Sequence, residues 1–117
     1  MMHFKEQTKD GTRGTVAICF NYGGQWEIAD AFTKMRADGF TGEITPELLS
    51  KYLYHPEVPP CDLIVRTSGE ERISGFQLWR AAYSEFLFVK KYFPDFDIPD
   101  LDDVLDNFSH RQRRFGH

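Results

Sequence analysis

Apolar residues along this chain fall into short runs separated by glycine, proline and charge. The first run, TVAICFNY (15–22), is β-branched and nearly continuous and stops at Gly23-Gly24, which predicts a buried strand. Ile28, Phe32 and Met35 then recur at helical spacing, predicting a helix over 25–37 that DGFTGE (38–43) breaks with two glycines. Thr45 reads as an N-cap, with Pro46 in the first turn of a second short helix, PELLSKYLY. Three prolines in HPEVPPC exclude regular structure before a second strand, DLIVRT (62–67). GFQLWRAAY (75–83) predicts a short helix and SEFLFV (84–89) a third strand. Beyond the FPDFDIPD loop, a last helix begins near Pro99, with Leu101, Val104, Leu105 and Phe108 at i, i+3, i+4 and i+7.

Strands alternating with helices imply an α/β fold: a partial, mainly parallel sheet of about three strands flanked by helices. The strands lack an apolar–polar alternation, as expected where both faces are covered. Sheets usually have about four to six strands. Residues 1–117 therefore read as a single partial domain whose missing strands come from another chain or from an N-terminal half.

Composition narrows the chemistry. Hydrophobic residues at 41% and aromatics at 15% suit a globular fold rather than a disordered tail. A net charge of -4, from 14 basic and 18 acidic residues, argues against a polyanion-binding surface and hence against nucleic acid. A phosphate site must be a local cluster. Cys19 and Cys61 lie in or beside apolar runs and read as reduced, buried thiols of a cytoplasmic protein. His3, His55, His110 and His117 have no zinc-ligand spacing with them. No apolar run approaches the ~20 residues of a membrane span, and MMHFKEQTKD lacks a signal-peptide core. A soluble protein with at most peripheral membrane contact is expected.

Charge concentrates just past LIV, in RTSGEERIS (66–74). Ligands of open α/β sheets gather beyond the carboxyl ends of parallel strands, where Arg66 stands. Arg66 and Arg72 can each fork onto a phosphate, Gly69 lets backbone approach closely, and Ser74 adds a hydroxyl. Two arginines, a glycine turn and a serine within nine residues suit a diphosphate; structural ion pairs with Glu70, Glu71 or Glu85 explain the same composition equally well. Magnesium beside a diphosphate needs one or two carboxylates, for which Glu85 is the first candidate and Glu70 the second. Arg111, Arg113 and Arg114 follow the last helix, either answering its dipole or, through Arg114-Phe115-Gly116, reaching an anion. Asp102, Asp103 and Asp106 in DDVLD mimic an aspartate-rich metal motif, but Val104 and Leu105 belong to the apolar stripe, so these acids read as a solvated face.

Taken together, FNYGG with EIADA, DLIVRTSGEERISGFQLWRAAYSEFLFV, FPDFD and RRFG resemble the C-terminal half of the cis-prenyltransferases, the family of undecaprenyl diphosphate synthase. The resemblance runs from about Glu6 to Gly116. It implies a dimeric α/β enzyme that adds isopentenyl diphosphate to an allylic diphosphate with cis geometry, using Mg2+. Through it, Arg66, Arg72, Ser74 and Gly69 become isopentenyl diphosphate ligands and Glu85 a magnesium ligand at the dimer contact. Arg114 and Gly116 would reach the diphosphate across that contact. The family's N-terminal DGNxRW-like segment has no counterpart: the DG pairs here, Asp10-Gly11 and Asp38-Gly39, lack the asparagine and tryptophan. Phe93 stands where the family usually has tryptophan, and SGF lacks the bacterial asparagine. No residue is therefore assigned to catalysis, and the chain is expected to be inactive alone. It would be a homodimer subunit, or would pair with an N-terminal half or a catalytic subunit. The alternative is a non-catalytic partner or interaction module of a heteromeric prenyltransferase.

Overall fold

Helix-forming and strand-forming runs give an α/β chain in the computed structural model, which describes residues 6–111. The elements are α1 (Gly24–Ala37), α2 (Pro46–Ser50), β1 (Leu63–Arg66), β2 (Glu85–Phe88), a 3-10 turn (Phe93–Asp95) and α3 (Ile98–Ser109). β1 and β2 pair in parallel with Leu63 opposite Glu85 and Arg66 opposite Phe88. The expected strands at 62–67 and 84–89 are thus present, each shorter at both ends.

The expected first strand is not formed. Residues 15–22 carry no strand, and among the described residues no backbone hydrogen bond involves them. A strand exists only through its ladder, and nothing described here stands alongside to supply one. Asn21, at φ +52, also turns the backbone out of the β region. Cys19, expected to be buried, is accordingly exposed, while Cys61 is half-buried; both thiols are free.

Two expected helices are also cut back. α2 ends at Ser50 rather than Tyr54, because the Tyr54 amide donates to the Glu27 carboxylate at 3.1 Å and His55 adopts φ +49. Its start is as expected: Thr45 Oγ1 accepts from the Leu48 amide at 3.2 Å, with Pro46 at the first position. Residues 75–83 form successive turns instead of a helix, since Ser74, Gly75 and Gln77 all have positive φ.

The buried core joins α1 to α2 and the turn after it through Ala31, Met35, Leu49 and Leu53, with Trp79 packed against them. Trp79 Nε1 donates to Ser50 Oγ at 2.9 Å, which satisfies the indole where it is half-buried. The inward face of α1 is Gly24, Glu27, Ala31 and Met35, offset by one residue from the expected Ile28–Phe32–Met35 stripe. Phe32 consequently faces solvent.

α3 lies antiparallel to β2. At its start Lys91 Nζ contacts Asp100 at 2.7 Å, and just past its end Arg111 Nη1 reaches Glu85 at 2.9 Å. Asp97 caps the helix by accepting from the Asp100 amide at 3.3 Å, while the Asp100 carboxylate accepts from the Asp97 amide at 3.0 Å. The Lys91 ammonium and these bonds hold the Asp100 carboxyl below the usual carboxylate range. Val104 is buried and Phe108 half-buried, but Leu101 and Leu105 are exposed, so the apolar stripe of α3 is only partly covered. Asp102, Asp103 and Asp106 are exposed, as the stripe requires.

Burial at these positions predicts a sharp contrast in urea denaturation. Met35→Ala, at a site 2% exposed, lowers unfolding free energy by about 2–5 kcal/mol. Val16→Ala, at a site 89% exposed, changes it by less than about 0.5 kcal/mol.

Candidate anion site at the carboxyl end of the sheet

β1 delivers Arg66 to its carboxyl end, with Ile64 buried two residues earlier. The chain then turns through Ser68 (φ +71) and Gly69 (φ +68). The Ser68 amide donates to the Lys91 carbonyl at 2.7 Å and the Gly69 amide to the Val89 carbonyl at 3.0 Å. These bonds dock the turn on the segment leaving β2, so neither amide is left to bind an anion. The Gly69 backbone is still approachable, since nothing lies within 4 Å of where a Cβ would stand.

Among the described residues, no ion pair or side-chain hydrogen bond engages the half-buried Arg66 guanidinium. Arg72 Nη1 pairs with Glu70 Oε2 at 2.6 Å, with the two side chains 65% and 38% exposed. An exposed pair of this kind contributes only about 0–1 kcal/mol, so an incoming anion displaces it readily. Ser74 has φ +49 and precedes Gly75 at φ +78. Ser68 and Ser74 are thus both non-glycine residues in the left-handed region. Such strain persists where surrounding structure enforces it, commonly at binding sites.

At Ser74 the enforcing structure is the first turn of α1. The Gly24 amide donates to the Gly75 carbonyl at 3.0 Å. A Cβ at Gly24 would stand 2.3 Å from that carbonyl oxygen and 2.8 Å from Leu78, so only glycine permits the approach. One turn further, Glu27 (1% exposed) pairs with Arg80 (7% exposed) at 2.7 Å. Glu27 also accepts from the Tyr22 hydroxyl and the Tyr54 amide. Arg80 additionally donates to the carbonyls of Tyr54, His55 (3.1 Å) and Val58 (3.4 Å). Both charges are therefore buried with their hydrogen-bonding capacity used. Burial, then the bond to the Glu27 carboxylate, push the Tyr22 phenol well above the ordinary tyrosine pKa. The Tyr22 ring meets Phe76 edge-on at 5.9 Å, directly beside the Ser74–Gly75 turn.

The sheet register sets Glu85 apart from this loop. Glu85 opens β2 beside Leu63, three residues and about 10 Å before the level of Arg66. Side chains alternate along strands, so Glu85 shares a face with Leu63 and Leu87, whereas Arg66 shares one with Ile64, Phe86 and Phe88. The stacked rings of Phe86 and Phe88, 6.2 Å between centroids, mark that second face. Glu85 is held by Arg111, which also donates to the Phe86 carbonyl at 3.0 Å. Arg114 and Gly116 lie outside the described residues. Among the described residues, no group of three or more acidic, histidine or cysteine side chains is placed to hold a metal ion. A shallow cleft of about 210 Å³ runs between β2 and α3, but Asp100 and Asp103 in its lining carry the wrong charge for a diphosphate.

Sequence reasoning missed Gly24, Glu27 and Arg80. The signal for Arg80 was an arginine inside the apolar run LWRAAY; Gly24 and Glu27 stood in the motifs FNYGG and EIADA without a role assigned to them.

The prenyltransferase family model described as undecaprenyl diphosphate synthase matches residues 1–116. An isoprenyl transferase of Thermotoga maritima is 49% identical over 115 residues, which are 96% of this chain and 49% of that protein. Among solved structures, a probable undecaprenyl diphosphate synthase from Campylobacter jejuni superposes with a TM-score of 0.85 at 28% identity, covering 99% of this chain and 54% of that one. Lavandulyl diphosphate synthase from Lavandula x intermedia, solved with dimethylallyl diphosphate, gives a TM-score of 0.72 at 36% identity, covering 82% and 44%. Fold and sequence together define the α/β class of the prenyltransferase family. The chain belongs to the undecaprenyl diphosphate synthase family, that of the cis-prenyltransferases. It spans about half the length of the curated relatives it matches.

Three substitutions test the joint at α1. Arg80→Met strands a buried carboxylate and costs about 3–5 kcal/mol in urea unfolding, whereas pairing it with Glu27→Leu recovers much of the loss. The Tyr22 shift gives a pH test. Because the folded pKa is raised, its stabilisation is complete below about pH 10, the value for an unfolded phenol, and is lost as pH climbs beyond it. Melting temperatures between pH 9 and 11 therefore fall less steeply in Tyr22→Phe than in the parent.

Proposed function

We propose that this chain forms the isopentenyl diphosphate half of a cis-prenyl elongation site. Arg66, Arg72 and Ser74 hold the diphosphate, and Gly69 lets it approach the backbone. The observation that carries this reading is the Arg66 guanidinium: it stands without a partner among the described residues, at the carboxyl end of a parallel strand. Arg72 and Ser74 belong to the loop that follows it, and a strained turn at Ser68–Gly69 lies between.

The chemistry assigned to these residues is binding and orientation. Two forked guanidiniums fix a diphosphate in direction as well as position. The isopentenyl double bond is thereby presented to an allylic partner, and the gain is one of proximity. Arg114 and Gly116 extend the same anion site from a second subunit in a dimer. Magnesium supplies charge neutralisation to diphosphates when bound. Glu85 does not fit that task within one chain, because it lies at the other end and on the other face of the sheet and is engaged by Arg111. Glu70 is the carboxylate on the same loop as Arg72. The residues that ionise an allylic diphosphate belong to the DGNxRW-like segment, so this chain alone binds isopentenyl diphosphate without elongating it.

Isothermal titration with isopentenyl diphosphate tests the reading. Wild type binds with measurable heat, and Arg72→Ala or Arg66→Ala each weakens binding by about 1.5–3 kcal/mol. Equal heats in wild type and both variants would return the arginines to a purely structural role.

A further inference from the structure

The 66–74 loop carries no net charge, because Arg66 and Arg72 are balanced by Glu70 and Glu71. A single phosphate monoester already carries about −1.5 to −2 charges at pH 7, so a diphosphate drawn to this loop leaves negative charge uncompensated. Coulombic balance calls for a cation from outside the loop.

Several cations of the described chain are committed elsewhere. Arg80 is buried against Glu27, Lys34 lies over the Tyr54 ring at 5.1 Å, and Arg111 holds Glu85 at the other end of the sheet. Lys91 contacts Asp100 at 2.7 Å, and that carboxylate, joined by Asp97 and Asp95, holds its ammonium above the usual lysine range. Lys90 differs. It is exposed, and no ion pair or hydrogen bond engages its ammonium among the described residues.

The backbone nevertheless fixes where Lys90 stands. Phe88 pairs opposite Arg66, and the Val89 amide donates to the Arg66 carbonyl at 2.8 Å. The Gly69 amide then donates to the Val89 carbonyl at 3.0 Å and the Ser68 amide to the Lys91 carbonyl at 2.7 Å. Lys90 is the residue between those two acceptors. Consecutive amides of the strained turn therefore straddle it and set it beside Ser68–Gly69, just past the carboxyl end of β2. Space is open at Gly69, where nothing lies within 4 Å of where a Cβ would stand. A lysine there brings a point charge and three rotatable donors on a flexible four-carbon stem.

We propose that Lys90 is a third cation of the diphosphate site, beside Arg66 and Arg72, supplied by the β2 end of the sheet. The inference rests on the isopentenyl diphosphate reading above and adds to it a residue from a second strand. Lys90 restores the positive charge that Glu70 and Glu71 cancel within the loop. Its ammonium acts at the end of a long stem, so affinity and its salt dependence report the contact, not the Lys90 backbone amide. A lysine that only keeps an edge strand in solvent is the competing outcome.

The test titrates the full chain calorimetrically with isopentenyl diphosphate, in buffer without divalent metal, at low and at raised ionic strength. Lys90→Gln weakens binding about tenfold or more at low ionic strength, as the loss of a hydrogen bond between charged partners does. Its melting temperature is unmoved, because the side chain makes no contact to lose. The salt dependence of its affinity becomes shallower, since one fewer charge is screened. Lys90→Arg retains most of the affinity, and Lys91→Gln, one residue further, leaves it unchanged. If Arg72→Ala weakens binding and Lys90→Gln does not, the inference is overturned while the isopentenyl diphosphate reading stands. If the wild type gives no heat, that reading fails and the inference with it. Equal weakening by Lys90→Gln and Lys91→Gln, or weakening that comes with a fallen melting temperature, also overturns it.

Discussion

Burying Glu27 against Arg80 takes two full charges out of water, and the local structure on either side is organised to offset that cost. The carboxylate collects the Tyr22 hydroxyl and the Tyr54 amide, and the guanidinium collects three carbonyls from 54–58. Buried pairs of this kind add little net stability over apolar residues of similar size, but they are intolerant of losing one member. What the pair provides is a fixed relation between segments distant in sequence. It ties the start of α1, the loop that leads into β1 and the turns that lead into β2 at one point. The Gly24–Gly75 contact, one helical turn away, transfers that relation to the Ser74 turn. The loop bearing Arg72 and Ser74 is thereby held at Gly75 by α1 and at Ser68–Gly69 by the segment leaving β2.

The parallel register then divides the chain's charged groups into two sets. Arg66 ends β1, and Glu70, paired with Arg72, and Ser74 follow in the loop beyond it, while Glu85 and Arg111 join β2 to the end of α3 at the opposite end and on the other face. Glu85, only eleven residues after Ser74, is thereby set at the other end of the sheet from the loop. A diphosphate held by the first set has no direct access to Glu85 of the same chain.

Much of this was legible in the sequence where local rules decide the outcome. Thr45-Pro46 set the start of α2, continuous apolar runs set β1 and β2, and Arg66 stood at the end of its strand as the LIVR pattern implied. The family was legible because its central block runs unbroken from 62 to 89. The sequence misled where a partner decides. TVAICFNY has every strand-forming property except a neighbour, so it stays unpaired. The buried face of α1 turned by one residue because a carboxylate with a buried guanidinium partner outranked the apolar stripe, and hydrophobic periodicity counts Glu27 as polar. GFQLWRAAY failed as a helix because three positive-φ residues hold it in turns, a constraint imposed by the approach of Gly24 from elsewhere in the chain.

The central claim is that the 66–74 loop is a preformed anion site, held by α1 and separate from the Glu85–Arg111 end of the sheet. Backbone amide NMR during titration with isopentenyl diphosphate tests it most directly. The account predicts saturable shifts confined to the 66–75 segment and the first turn of α1, with Glu85 and the C-terminal end of α3 unmoved. Shifts centred on Glu85 and Arg111, or none at any ligand concentration, would contradict it.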